Sequence, residues 1–292
     1  MKCFSDLNPV TIAVWFLAVT GISMFCSVPS LIVISLTGSI LFFRVRNHAP
    51  DRRTHLFFWG MFLVLALVNP LVSHNGVTVL FVITHNPVTL EAVLYGLNAA
   101  AMIVGVLYWF RSFTQIMTSE KLLYLTGRLS PKLSLVLSMA LRFVPLFRTQ
   151  AKKISDAQRA IGLYKDDNAI DGLRGKLREF SVLVTWALEN GIITADSMEA
   201  RGYGLGRRSQ MRQFRFSRPD GIVLLLTLSL VGISAAAIGT GRLSFTFYPA
   251  CQAGTPGTLG ICGMIAYGLL VLLPTAIELE VNLQWNYLKS RI

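Results

Sequence analysis

The chain has 292 residues, of which 53% are hydrophobic and 14% charged, and a formal net charge of +12. Soluble domains carry roughly a quarter charged residues, so with a mean hydropathy of +0.56 a soluble globular enzyme is excluded and a membrane protein is expected. The positive charge is concentrated, with 19 of the 27 Lys and Arg falling between Arg111 and Arg218.

The expected architecture is an all-α membrane protein with about six transmembrane helices and a cytoplasmic pair of amphipathic helices. No charged residue falls between Arg53 and Glu91, between Glu91 and Arg111, or between Arg242 and Glu278. Each gap is long enough for the roughly 18–20 apolar residues that a spanning helix needs. In chain order, a first span covers about 9–26, and Pro29 and Ser30 mark a tight connection to a second, shorter one over about 31–43. Arg44, Arg46, Arg52 and Arg53 form a basic loop. A third span covers about 56–73, interrupted by Asn69-Pro70, and a fourth about 92–110. Between them, 74–87 mixes β-branched residues with Gly and Pro and reads as an external or re-entrant segment. A fifth span covers about 222–239 and a sixth about 260–277, with a kink expected at Pro274. Trp285 and Tyr287 follow as an interfacial aromatic belt.

This organisation divides the chain into N-terminal helices (1–110), a charged central region (111–218) and C-terminal helices (219–292). Positive charge gathers on the cytoplasmic side of membranes. Loop 44–53, the central region and the tail 289–291 therefore share that side, which puts both termini in the cytoplasm. A nucleic-acid partner is not expected, because no nucleic-acid-binding motif accompanies the charge. The four cysteines include no CxxC pair, so no metal site is expected; a disulfide between Cys251 and Cys262 across a Gly-rich loop stays open. The N-terminus does not read as a cleaved signal, since a second apolar run follows the first at once. In the fourth span, Gly96, Ala100, Ala101 and Gly105 are small residues suited to close helix packing, and Asn98 is expected to bond a neighbouring helix.

Within the central region, an apolar stretch over 133–147 follows Pro131 and is interrupted near its end by Pro145. Beyond it, Phe147, Ala151, Ile154, Gln158 and Ile161 share one helical face, and Gly162 supplies a stop. A second segment repeats the pattern: Val184, Leu188, Ile192 and Ala195 share a face beside Met198. Arg201 follows at the C-terminal end, where a cation complements the helix dipole, and Gly202 and Gly204 end the helix. Two amphipathic helices thus each finish in a glycine-containing tip. Periodicity alone leaves two readings: helices lying on the inner leaflet, or tips that dock into a cytoplasmic partner.

The motifs carry a resemblance. Ala140-Leu141-Arg142-Phe143-Val144-Pro145, followed by Ala157-Gln158-Arg159-Ala160-Ile161-Gly162, resembles the first signature of the transmembrane T component of energy-coupling factor transporters, an ABC-type family. Met198-Glu199-Ala200-Arg201-Gly202-Tyr203-Gly204, with Arg207 and Arg208 after it, resembles the second. The resemblance implies a non-enzymatic subunit without a cofactor of its own. It joins a substrate-binding membrane S component to two cytoplasmic ABC ATPases and drives uptake of a vitamin or a transition-metal ion across a bacterial or archaeal cell membrane. It further implies that Arg159, Ala160, Ile161 and Gly162, together with Ala200, Arg201 and Gly202, contact the ATPases. The first tip departs from the pattern, since Ile161 stands where an arginine is usual.

Two alternatives compete. A membrane enzyme acting on lipid headgroups would want clustered acids, and the one acidic cluster, Asp166, Asp167 and Asp171, reads better as a solvated linker among Lys165, Arg174 and Lys176. An independent solute carrier would want intramembrane charges and internal repeats, and neither is evident. The chain also lacks the GxxxxGK[ST] loop of an ATPase; Gly172-Leu173-Arg174-Gly175-Lys176 has neither its spacing nor its Ser or Thr.

Overall fold

A computed structural model of the chain describes residues 3–47, 52–73, 76–83, 86–162, 169–206, 214 and 216–289. Nine helices are found among them: α1 (Pro9–Phe25), α2 (Pro29–Arg46), α3 (Arg52–Val72), α4 (Leu90–Ile116), α5 (Ser119–Leu129), α6 (Pro131–Ala160), α7 (Ala169–Ala200), α8 (Arg218–Gly239) and α9 (Thr258–Lys289). The chain forms two compact units. One comprises Met1–Lys121 with Phe214–Ile292, here called the membrane unit, and the other Leu122–Gln213.

Five helices of the membrane unit, α2, α3, α4, α8 and α9, are long and apolar enough to cross a bilayer; α1 is apolar but shorter, at 17 residues. Their starts follow local chemistry. Proline opens α1 and α2, where its missing N–H costs nothing. Thr89 caps α4 by accepting from the Ala92 amide. Ser217 and Asp220 form a reciprocal capping box at α8. The expected second span was too short, because α2 runs on through Arg44 and Arg46, whose long side chains keep their charges at the helix end. The fourth and sixth spans likewise extend to Ile116 and Lys289, and α3 and α9 continue through Pro70 and Pro274.

The core of this unit is aromatic. Trp15 meets Trp109 edge-to-face at 5.3 Å and Phe4 at 5.5 Å, the arrangement that ring quadrupoles favour. Each indole N–H is satisfied, Trp15 Nε1 donating to the Leu270 carbonyl and Trp109 Nε1 to Ser35 Oγ, both at 3.0 Å. Small residues set the helix spacing. A Cβ on Gly96 would come within 2.9 Å of the Ala66 carbonyl, and one on Gly38 would collide with Val271 Cγ1. Gly96 is therefore a packing residue, as expected. Asn98 donates to the Ser27 carbonyl at 3.0 Å, tying α4 to the α1–α2 connection.

The segment between α3 and α4 is an antiparallel hairpin, β1 (Val79–Ile83) with β2 (Asn86–Thr89). A second short pair, β3 (Phe245–Thr246) with β4 (Gln252–Ala253), lies between α8 and α9. The ring of Tyr95 packs on Phe247 and Tyr248, so both connections gather at one end of the unit. Cys251 and Cys262 are both exposed, and no bond joins them.

A second set of charged groups lies at the other end. Arg46 pairs with Glu278 at 3.0 Å. His55 Nδ1 and the Tyr108 hydroxyl share a hydrogen bond of 2.8 Å. The Lys121 ammonium donates to the Ser5 and Ile116 carbonyls, and its burial pushes its pKa below the usual lysine value. The buried Asp220 accepts from the Asn8 amide at 2.9 Å and from the Ser217 amide at 2.7 Å.

Candidate functional site: two capped helix tips

In the second unit α6 packs on α7, with Phe147 against Trp186 at 5.9 Å. The break expected at Pro145 is absent. That proline lies inside a continuous 30-residue helix, about 45 Å long. A helix tolerates an internal proline when the carbonyl one turn earlier can go without its partner, and the exposure of Leu141 and Pro145 leaves that group near solvent or lipid.

The expected face of α6 is present and then changes character. Phe147 and Ala151 are half-buried, Ile154 and Gln158 are buried, but Ile161 at the tip is 73% exposed. On α7 the inward positions are Gly175, Glu179, Leu183, Ala187, Asn190, Thr194 and Met198, all buried or half-buried. The stripe expected to share a face, Val184, Leu188, Ile192 and Ala195, does so, but it points outward. With Leu173, Leu177 and Phe180 it makes an exposed apolar stripe along most of the helix; Leu188 is 65% and Ile192 63% exposed.

The two tips end alike. After α7, the Gly202 amide donates to the Glu199 carbonyl at 2.9 Å and the Tyr203 amide to the Met198 carbonyl at 3.0 Å. These two bonds, with Gly202 at φ +77°, are a Schellman motif. Arg201 therefore occupies the C-cap, and Gly202 follows in the left-handed conformation that favours glycine. After α6, the Gly162 amide donates to the Arg159 carbonyl at 3.0 Å, with Gly162 at φ +73° and Ile161 as C-cap. Ile161 and Arg201 are thus structural equivalents, each preceded by an alanine, and both are exposed. Arg159 lies two residues earlier, roughly 200° around the helix from Ile161.

Arg207, Arg208, Asp166, Asp167 and Lys165 lie outside the described residues. Asp171 meets Arg174 at 3.8 Å in an exposed i,i+3 pair, the behaviour of a solvated segment. Among the described residues, no three His, Cys, Asp or Glu side chains gather as a metal site. Sequence reasoning missed α5 altogether, an 11-residue amphipathic helix whose leucine spacing was masked by the surrounding charges. It also did not foresee which face of α7 turns inward, which hydrophobic periodicity alone misassigns.

The membrane unit, with its capped helical partner unit, defines an all-α multi-pass membrane protein. Residues 2–212 match the family profile described as CbiQ, cobalt transport protein. The chain belongs to this family, that of the transmembrane T components of energy-coupling factor transporters, which are transporter subunits and not enzymes. It is similar to the energy-coupling factor transporter transmembrane proteins EcfT of Lactobacillus helveticus, 35% identical over 104 residues, and of Lacticaseibacillus paracasei, also 35% over 104. Those matches cover 35% of this chain and only 38% and 39% of the relatives' own length. A longer match, 25% identical over 212 residues, covers 59% of this chain and 79% of the EcfT of Ruminiclostridium cellulolyticum.

Proposed function

We propose that this chain couples ATP hydrolysis by two cytoplasmic ABC ATPases to uptake of a micronutrient held by a separate membrane S component. The observation that carries this reading is the matched pair of exposed tips, Ala160-Ile161-Gly162 and Ala200-Arg201-Gly202. Each presents one outward C-cap side chain on a glycine-terminated helix. A pair of similar rigid projections suits a pair of similar partners, whereas two helices merely resting on headgroups need no matched ends. Arg201 is assigned a charge-assisted contact in one ATPase groove, and Ile161 an apolar contact in the other, with Ala160, Gly162, Ala200, Gly202 and Arg159 completing the two surfaces.

The outward stripe of α7 is assigned to the S component. An apolar stripe of this length on a helix already packed on its other side needs a hydrophobic cover. The chain is placed in a bacterial or archaeal cell membrane with the basic end and both termini in the cytoplasm, because loop 44–53 and the central region carry the positive charge. The cargo is a vitamin or a transition-metal ion, and the family's description as cobalt transport proteins favours the metal.

The test is gentle detergent purification of the tagged chain from its native host. Two ATPase subunits and a small membrane protein are expected to co-purify. Recovery of the chain without any ATPase, under conditions that hold other ABC complexes together, would overturn the reading.

A further inference from the structure

We propose that residues 4–8 form a strap that mechanically joins the two junctions through which residues 122–213 leave and rejoin the membrane unit, with Lys121 and Asp220 as its positioning residues. The inference rests on the coupling role proposed above for that intervening unit.

The outgoing junction is at Lys121 and the returning one at Phe214. Each is fastened to the same short segment. The Lys121 ammonium donates to the Ser5 carbonyl, and also to the Ile116 carbonyl at the end of α4. At the returning side, Asp220 accepts the Asn8 amide with one oxygen and the Ser217 amide and hydroxyl with the other. Both charged groups are buried, Lys121 and Asp220 alike. A buried charge held by several hydrogen bonds resists displacement, because moving it leaves an unpaired charge or carbonyl behind.

The strap itself is anchored. Residues Phe4–Asp6 form a 3-10 turn closed by the Asp6 amide on the Cys3 carbonyl. Phe4 is fully buried edge-on against Trp15, Phe16 and Phe42 in the aromatic core, and Leu7 and Asn8 are buried beside it. A chain stretch of five residues with its middle set in the core thus touches both junctions. Displacement of either junction is felt at the other through a rigid connector, so the intervening unit can act on the membrane helices only as one lever and not as two independent hinges.

Amide hydrogen exchange on the full chain in nanodiscs tests this, alone and with its co-purified ATPases. Lys121→Met removes the outgoing contact only, yet it is expected to speed exchange of the Asn8 and Ser217 amides by about tenfold. Asp220→Asn is expected to do the same for amides 117–121. Phe4→Leu keeps the apolar anchor small enough to fold and is expected to loosen both junctions together. If each polar variant accelerates exchange only at its own junction, and Phe4→Leu affects neither, the strap is refuted. In the complex, ATP with vanadate is expected to shift both junctions in parallel in the unaltered protein and to lose that parallel in the two polar variants. ATPase co-purification is read separately on the unaltered chain, so failure of the coupling reading and failure of the strap are distinguishable.

Discussion

Single side chains decide how the two tips differ. Both caps place one exposed residue, Ile161 or Arg201, at the same position relative to a left-handed glycine, so the contrast between them is chemical and not geometrical. Arg201→Glu is expected to abolish coupling while leaving the fold intact, because the side chain is exposed and its partner groove carries the cost. Losing one member of an interfacial charge pair costs roughly 2–5 kcal/mol, whereas a headgroup contact is worth about 1 kcal/mol. Uptake by the reconstituted complex measures this, and wild-type uptake would favour the headgroup role. The same geometry orders three further variants. Arg159 points away from the C-cap direction, so Arg159→Ala should weaken ATPase binding less than Arg201→Ala, and Ile161→Asp should weaken it more than Arg159→Ala. Affinities of purified ATPase for each variant in nanodiscs check the order; equal losses for Arg159→Ala and Arg201→Ala would mean that Arg159 serves the first groove. The tips were legible in the sequence because glycine after an amphipathic helix has a local cause, the freedom to take positive φ. The equivalence of Ile161 with Arg201 was legible only as a motif alignment until the cap hydrogen bonds placed both residues.

At the level of elements, helix α7 shows what a sequence pattern leaves undecided. Val184, Leu188, Ile192 and Ala195 do share a face, but a stripe is apolar whether it meets its own fold or something else. The inward face instead mixes small and polar residues, Gly175, Ala187, Asn190 and Thr194, with Leu183, Trp186 and Met198. Asn190 and Thr194 are compatible with that face because each satisfies itself on a carbonyl one turn back, at Trp186 and Asn190. Pro145 misled in the opposite direction: a proline ends a helix only where the carbonyl one turn earlier cannot go without its partner, and here that group is left near solvent or lipid. If the outward stripe binds the S component, Leu188→Ser should leave the thermal midpoint of the isolated chain unchanged, because the residue is already exposed. It should also weaken S-component capture by roughly tenfold, the effect of truncating one interface anchor. Pull-down of the S component with normal ATPase recovery is the readout, and unchanged capture with loss of liposome binding would assign the stripe to lipid.

Across the whole molecule, the contacts that close the membrane unit join residues far apart in sequence, and periodicity does not report them. Spans were readable from apolar run length, since it acts locally on partitioning into the bilayer. The Arg46–Glu278 pair was not, because Arg46 reads as one more loop cation and Glu278 as the first polar residue after a span. In three dimensions they bind the C-terminal end of α2 to α9, helped by Asn282 Nδ2 donating to the Val45 carbonyl. Both side chains are largely shielded, at 21% and 10% exposure, so removing one partner strands the other. Full burial would make that loss about 3–5 kcal/mol; the residual exposure of Arg46 lets water soften it to about 1–3 kcal/mol. Arg46→Ala is therefore expected to lower the thermal midpoint of the detergent-solubilised chain, and Arg46→Ala with Glu278→Ala to recover much of the loss, because the stranded carboxylate is gone. Thermal unfolding of the two single variants and the double variant measures the pairwise energy directly. Strict additivity of the two single effects would show that the ion pair does not hold α2 to α9, and that aromatic and small-residue packing closes the unit alone.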